Sequence, residues 1–214
     1  MLSNAISFYK ESRFPYRPYL NKNKCIFIHI PKSAGSSILD RLGKKGKMNR
    51  DHLPWYIYQK ANPIKFKRFF KFSFVRNPWD RAYSAFSYLR GGGNGASDLK
   101  LQALLDRFDG YDDFLINGLN KGLLRNHILF IPQSFFVLDA NQNPMVDFLG
   151  RYENLEEDYK KIAEKLSLQT DLPYFNRTRE KKQKYQCSES INIIANIYAQ
   201  DVDVFQYNYE ERGL

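Results

Sequence analysis

Two stretches of this chain carry apolar residues with almost no polar alternation: residues 24–30 (KCIFIHI) and 69–75 (FFKFSFV). A strand apolar on both sides is one buried on both faces, as in parallel sheets covered by helices. Each stretch runs into a turn and then a helical pattern. Pro31 ends the first, and Ser36 or Ser37 is placed to cap a helix reaching about Leu42. After the second comes Arg-Asn-Pro and a helix from Pro78 to about Arg90, with Pro78 suited to its first turn. Further helices are predicted near 99–107, 111–117, 155–166 and 188–198. SFFVLD (134–139) and MVDFLG (145–150) flank ANQNP and predict a hairpin or two closely spaced short strands. GGGNG (91–95) reads as a flexible loop. Strand and helix alternate, so the expected fold is α/β: a central, mostly parallel sheet flanked by helices in one domain over 24–214. An irregular arm, 1–23, holding Pro15, Pro18 and several tyrosines, precedes it.

Composition changes this picture in one respect, charge. The chain has 214 residues, enough for one well-packed domain, with 33 basic against 23 acidic side chains and a net charge of +10. That balance argues for an anionic partner: nucleotide, nucleic acid, acidic glycan or membrane surface. Lysines and arginines are spread along the chain without a DNA- or RNA-binding signature, so no nucleic-acid partner is expected. Fifteen tyrosines and seventeen phenylalanines can line a groove for sugars or bases, though packing accounts for most of them. Cys25 and Cys187 form no C-x-x-C and read as ordinary thiols of a reduced compartment. The start, MLSNAISFYKESRF, has no apolar stretch of signal-peptide length, and no window approaches a bilayer span. A cytoplasmic protein is expected.

The chemistry is concentrated where the two strands end. In IPKSAGSS (30–37), a strand, a small-residue turn and a helix start place several N–H groups around one point. Gly35 admits an oxyanion close to the backbone; Ser33, Ser36 and Ser37 add hydroxyls; Lys32 adds a full positive charge. A plain strand–turn–helix junction with a solvated lysine fits the loop too. The second junction, FSFVRNPWDRAYSAFSYLR (72–90), repeats the architecture. It sets Arg76 beyond a strand's carboxyl end, where open α/β sheets bind ligands and a guanidinium can grip phosphate bidentately. Ser84 lies about two helical turns further and can face the same side. Asp80 and Arg81 can simply pair with neighbours. Two such strand ends suggest a ligand with two separated anionic groups.

IFIHIPKSAGSSI and FSFVRNPWDRAYSAF resemble the two cofactor motifs of sulfotransferases that use 3′-phosphoadenosine-5′-phosphosulfate (PAPS), in their P-loop-like fold. The nearest branch is the carbohydrate type, with the uronyl and heparan 2-O-sulfotransferases and many bacterial relatives. IPQSFFVLD, FLGRYENLEEDYKKIAEKL, LPYFNRTR and IYAQDVDVFQYNY extend the resemblance in the family order, from Lys24 to Tyr209. It implies a PAPS-dependent enzyme of the EC 2.8.2 type, bacterial and cytosolic, with PAP (adenosine 3′,5′-bisphosphate) as product. Lys32, Ser33, Ala34, Gly35, Ser36 and Ser37 would hold the 5′-phosphosulfate; Arg76 and Ser84 the 3′-phosphate. Asn176, Arg177 and Arg179 would belong to a loop closing over the nucleotide.

Sulfuryl transfer builds negative charge on the departing phosphate, which a lysine ammonium and backbone donors can stabilise. The group carries less charge than a phosphoryl group, so a kinase-type Mg²⁺ clamp is not needed. No clustered carboxylates or His/Cys pairs supply a metal site, and no metal is expected. The acceptor hydroxyl, expected on a carbohydrate and an anionic glycan among the options, needs a base. His29 sits inside the first strand and reads as structural. His52, in NRDHLPWY, occupies about the place of the family's catalytic histidine, and imidazole titrates near neutral pH. His127 is the reserve, and Asp51 can orient His52 or act as the base itself.

Two rivals remain at this point, the first a P-loop-type kinase or NTPase acting on a nucleotide or small molecule. FFVLD (135–139) imitates a Walker B strand ending in Asp139, yet no G-x-x-x-x-G-K-[ST] occurs anywhere in the chain. A non-catalytic module binding an anionic ligand is the other.

Overall fold

Three short strands form one parallel sheet in the order β1-β2-β3: β1 (Cys25–Ile28), β2 (Phe70–Val75) and β3 (Phe148–Arg151). The apolar runs explain the outer and central strands. All of β1 is buried, as are the last four residues of β2, so both faces of that edge are covered. Cys25 pairs with Phe70 and Ile28 with Ser73, while Phe72 pairs with Phe148 and Val75 with Arg151. Ser73 Oγ donates to the Ile28 carbonyl at 2.7 Å, satisfying a hydroxyl inside the sheet. Phe74 lies opposite Gly150, and a Cβ there would meet the Phe74 ring at 2.5 Å; the glycine lets the ring lie across the neighbouring strand.

The structure is a computed structural model that describes residues 14–44, 51–173 and 187–210. Its packing divides into two compact units, within Met1–Val75 and Phe135–Asn176 and within Arg76–Ser134 and Arg177–Leu214. The first unit holds the sheet. α1 (Pro18–Asn23) precedes β1, and α2 (Gly35–Arg41) follows it. α3 (Trp55–Ala61) and α4 (Pro63–Arg68) lead into β2. The part of the expected irregular arm that is described is therefore ordered: Tyr16, Tyr19 and Leu20 are buried, and Tyr16 Oη donates to the Tyr58 carbonyl at 2.9 Å.

The second unit is built on α5 (Pro78–Arg90), where Pro78 takes the first turn as the sequence predicts and Asn77 is the cap. Asn77 accepts the Trp79 N–H at 3.1 Å and donates to the Asn208 carbonyl at 2.9 Å. α6 (Ala96–Leu105) and α7 (Tyr111–Asp113), which runs into a π-helical turn (Phe114–Leu119), follow. Phe86, Tyr111, Phe114 and Phe130 form a continuous aromatic core here. The glycine loop at 91–95 is tied down by Asp98, which accepts from the Asn94 N–H and the Tyr88 hydroxyl, both at 2.9 Å.

SFFVLD departs from expectation. Its first four residues form a helical turn, α8 (Ser134–Val137), and only a single antiparallel bridge, Leu138 to Pro144, survives of the predicted hairpin. MVDFLG does contribute β3. α9 (Leu155–Leu166) buries Tyr159, Ile162 and Ala163 at helical spacing behind an acidic first turn. α10 (Ser188–Ile197) and α11 (Ala199–Val204) end the described chain. No described helix is long and apolar enough to cross a membrane.

Candidate active site

The loop after β1 is strained where its chemistry is densest. Lys32 and Ala34 both have left-handed backbone, at φ 68° and 62°, and Ser33 between them does not. Each non-glycine residue held there costs about 1–3 kcal/mol, a cost found most often at ligand-gripping sites. Such alternation is the backbone of an anion-binding nest. Ser33 is 1% exposed, and its Oγ has no hydrogen-bond partner. A buried hydroxyl without a partner costs about 1–3 kcal/mol, which an oxyanion at this point would remove. The loop therefore fits a phosphate or sulfate oxygen.

The helix begins two residues earlier than a Ser36 cap would require. Ala34 is the cap residue of α2, with no side-chain cap, and its carbonyl accepts from Ser37 N–H at 3.1 Å. Neither Ser36 nor Ser37 takes the expected capping place, because left-handed Ala34 turns the chain into helix at Gly35. Lys32 is half-buried, Ser36 likewise, and Ser37 is buried.

Gly35 answers to a histidine. A Cβ on residue 35 would collide with the imidazole of His29, so only glycine fits beneath that ring. His29 lies just past the end of β1, buried, stacked on Phe27 at 5.5 Å and tilted against the ring of His52 at 4.2 Å. His52 Nδ1 stands 3.1 Å from the His29 carbonyl. A carbonyl only accepts, so in neutral His52 the proton sits on Nδ1 and the lone pair on Nε2. The structure places His29 between His52 and the loop, its ring against the imidazole of the one and the backbone of the other. Asp51 is committed elsewhere: Arg17 Nε and Nη2 donate to its two carboxylate oxygens at 2.7 and 2.9 Å. The His29 carbonyl orients His52 in its place.

In the second unit, Arg76 is the first residue beyond β2 and is 8% exposed, and Ser84 is buried on α5. The Arg76 N–H donates to Gln133 Oε1 and the Gln133 amide donates back to the Arg76 carbonyl, both at 2.8 Å. Arg81 pairs with no acid: fully buried, it donates to the carbonyls of Leu129 and Ile131 at 3.2 and 2.9 Å and lies over the Tyr198 ring. His127 belongs to this unit as well. Leu129 N–H approaches its Nδ1 at 3.5 Å, and burial holds its pKa below the usual imidazole value. Asn176, Arg177 and Arg179 lie outside the described residues.

Asp139 ends no strand. Its carboxylate accepts from the N–H groups of Asn141 and Asn143 at 2.9 and 2.8 Å, which uses it to close a turn and holds its pKa down. The Walker B resemblance is a resemblance of sequence only.

Residues 19–208 match the family described as "Sulfotransferase family". The chain belongs to the sulfotransferase family. As a sulfotransferase it also resembles an uncharacterized protein of Archaeoglobus fulgidus, 30% identical over 118 residues, which are 55% of this chain and 84% of that one. No solved structure matches it. In this sulfotransferase the parallel sheet carries the loop of residues 32–37 at the end of β1. Two features, one in each unit, escaped sequence reasoning. The His29 carbonyl is a backbone group and leaves no trace in residue type. Gln133 stands in IPQSFFVLD, a segment with family resemblance but no chemical pattern of its own.

Proposed function

We propose that this sulfotransferase moves the sulfuryl group of PAPS onto a hydroxyl of a carbohydrate. The observation that carries the reading is the His52–His29–Gly35 arrangement, which sets an imidazole of defined tautomer against the histidine that packs on the strained loop. The bound donor supplies an electrophilic sulfur and a phosphate leaving group. His52 Nε2 takes the proton of the attacking hydroxyl. Lys32 balances the negative charge gathering on the departing 5′-phosphate, and Ser33 Oγ with the loop N–H groups holds its non-bridging oxygens. Ser36 and Ser37 add hydroxyls at the same loop, while Ala34 and Gly35 contribute backbone. Arg76 and Ser84 hold the 3′-phosphate, and the motif resemblance assigns Asn176, Arg177 and Arg179 to nucleotide binding.

A carbohydrate acceptor is favoured by the branch that the two motifs resemble, with the net charge of +10 and the aromatic richness in support. The loop chemistry calls for charge balance from a lysine and not from a metal. The decisive experiment is calorimetric titration with adenosine 3′,5′-bisphosphate, with and without EDTA. It is followed by transfer assays from PAPS to a panel of neutral and acidic polysaccharides. Micromolar binding indifferent to EDTA, with sulfate appearing on a glycan, is the expected result. No binding of the bisphosphate overturns the donor, and sulfate appearing only on protein tyrosine overturns the acceptor.

A further inference from the structure

The region between α7 and α8 holds residues 129–134, whose backbone polar groups are met almost one by one by distant side chains. Arg81 serves the carbonyls of Leu129 and Ile131, and the Tyr198 hydroxyl donates to the Phe130 carbonyl at 2.9 Å. The Asp201 carboxylate accepts from the N–H groups of Gln133 and Ser134 at 2.7 and 2.8 Å, and Ser134 Oγ donates to Gln200 Oε1 at 3.2 Å. Gln133 and Asp201 are both fully buried. From this fixed segment the Gln133 side chain reaches Arg76.

We infer that Gln133 is a positioning residue for the 3′-phosphate, acting through Arg76 on whose role in the proposed reaction this rests. Arg76 is the first residue past β2 and the last before the Asn77 cap, where a buried N–H and a buried carbonyl each call for a partner. The Gln133 amide supplies both, accepting from the N–H and donating to the carbonyl at 2.8 Å each. A two-point amide clamp of this kind copies a backbone pairing and fixes φ and ψ of the residue it holds. What it sets is the direction in which the Arg76 Cα–Cβ bond leaves the chain, and so where the guanidinium starts its reach. Asp201 fixes Gln133 in turn. A guanidinium grips phosphate bidentately only when its plane is presented correctly, so loss of the clamp costs recognition of one phosphate and not of the whole nucleotide.

The test is calorimetric titration of the full chain with adenosine 3′,5′-bisphosphate and with AMP, which lacks the 3′-phosphate. The proteins are wild type, Gln133→Met, Gln133→Glu, Arg76→Ala and the Arg76→Ala/Gln133→Met pair. Wild type is expected to prefer the bisphosphate, and Gln133→Met to lose on the order of tenfold of that preference with AMP affinity unchanged. In the Arg76→Ala background, Gln133→Met is expected to add nothing. Gln133→Glu keeps an acceptor for the Arg76 N–H and loses the donor, so a smaller loss in the same direction is expected; it decides the matter if the Met variant fails to fold by circular dichroism. Equal weakening of both ligands in either Gln133 variant, or full additivity with Arg76→Ala, overturns the positioning role. A preference abolished by Arg76→Ala yet untouched at Gln133 overturns it too, while leaving the reading of Arg76 intact. Absence of any preference in wild type removes that reading itself, and this role with it.

Discussion

The imidazole of His29 occupies the volume into which a side chain on residue 35 would project. His29 is itself buried, stacked on Phe27 on one side and tilted against His52 on another, so it has little room to yield. Gly35→Ala is therefore expected to displace the His29 ring and, through its carbonyl, the ring of His52. A displacement near 1 Å at a reacting group costs about a hundredfold in rate. Turnover should fall by about that much, and a thermal melt would show whether the fold survives the change.

His52→Ala separates chemistry from binding. Loss of a general base lowers turnover by roughly 10²–10⁴-fold. Affinity for adenosine 3′,5′-bisphosphate should stay within about twofold of wild type, since the residues proposed to hold the nucleotide lie elsewhere. Steady-state rates with PAPS, paired with titration of the bisphosphate, check both halves. A loss of affinity matching the loss of rate would end the assignment of His52 as base.

Much of this arrangement was readable in advance because it depends on local pattern. The double-faced apolar strands, Pro78 at a helix start and Gly35 in the turn after β1 are set by near neighbours in the chain, although β1 ends at Ile28 and not at Pro31. Misreadings occur where the deciding partner is remote. Phe135, Phe136 and Val137 favour strand by residue type, yet they form a helical turn just after Gln133 and Ser134, whose N–H groups are taken up by Asp201. Tyr16 and Pro18 look irregular until Tyr58, in α3, accepts the tyrosine hydroxyl. Gln133 is invisible for the same reason, because its partners are backbone atoms fifty-seven positions earlier. His52 could be singled out from its place in the motif order, but the carbonyl beside its Nδ1 could not.

Asp201→Asn tests the remote contact on stability. The carboxylate meets two buried N–H groups, and an amide can accept from only one while presenting its own hydrogens to the other. A loss of about 2 kcal/mol is expected, read as a lower urea midpoint at unchanged slope.

His127 makes stability depend on pH. Burial lowers its folded pKa below the ordinary 6.5, so the unfolded chain binds the proton more readily. The sign follows: stability is full above about pH 6.5 and declines as the pH falls below it. His127→Phe, which cannot titrate, should flatten the decline in melting temperature between about pH 7 and pH 5.5. An unchanged slope would assign the acid sensitivity to other groups.

The left-handed backbone at Lys32 and Ala34 has a consequence for how this protein responds to selection. Glycine would relax both positions, so a screen for heat resistance alone is expected to favour Lys32→Gly, a variant that folds more securely and has discarded its cation. If Lys32 has the role proposed for it, robustness and activity are opposed at a single residue. Any lineage of this enzyme that keeps the lysine does so against a standing thermodynamic incentive to lose it.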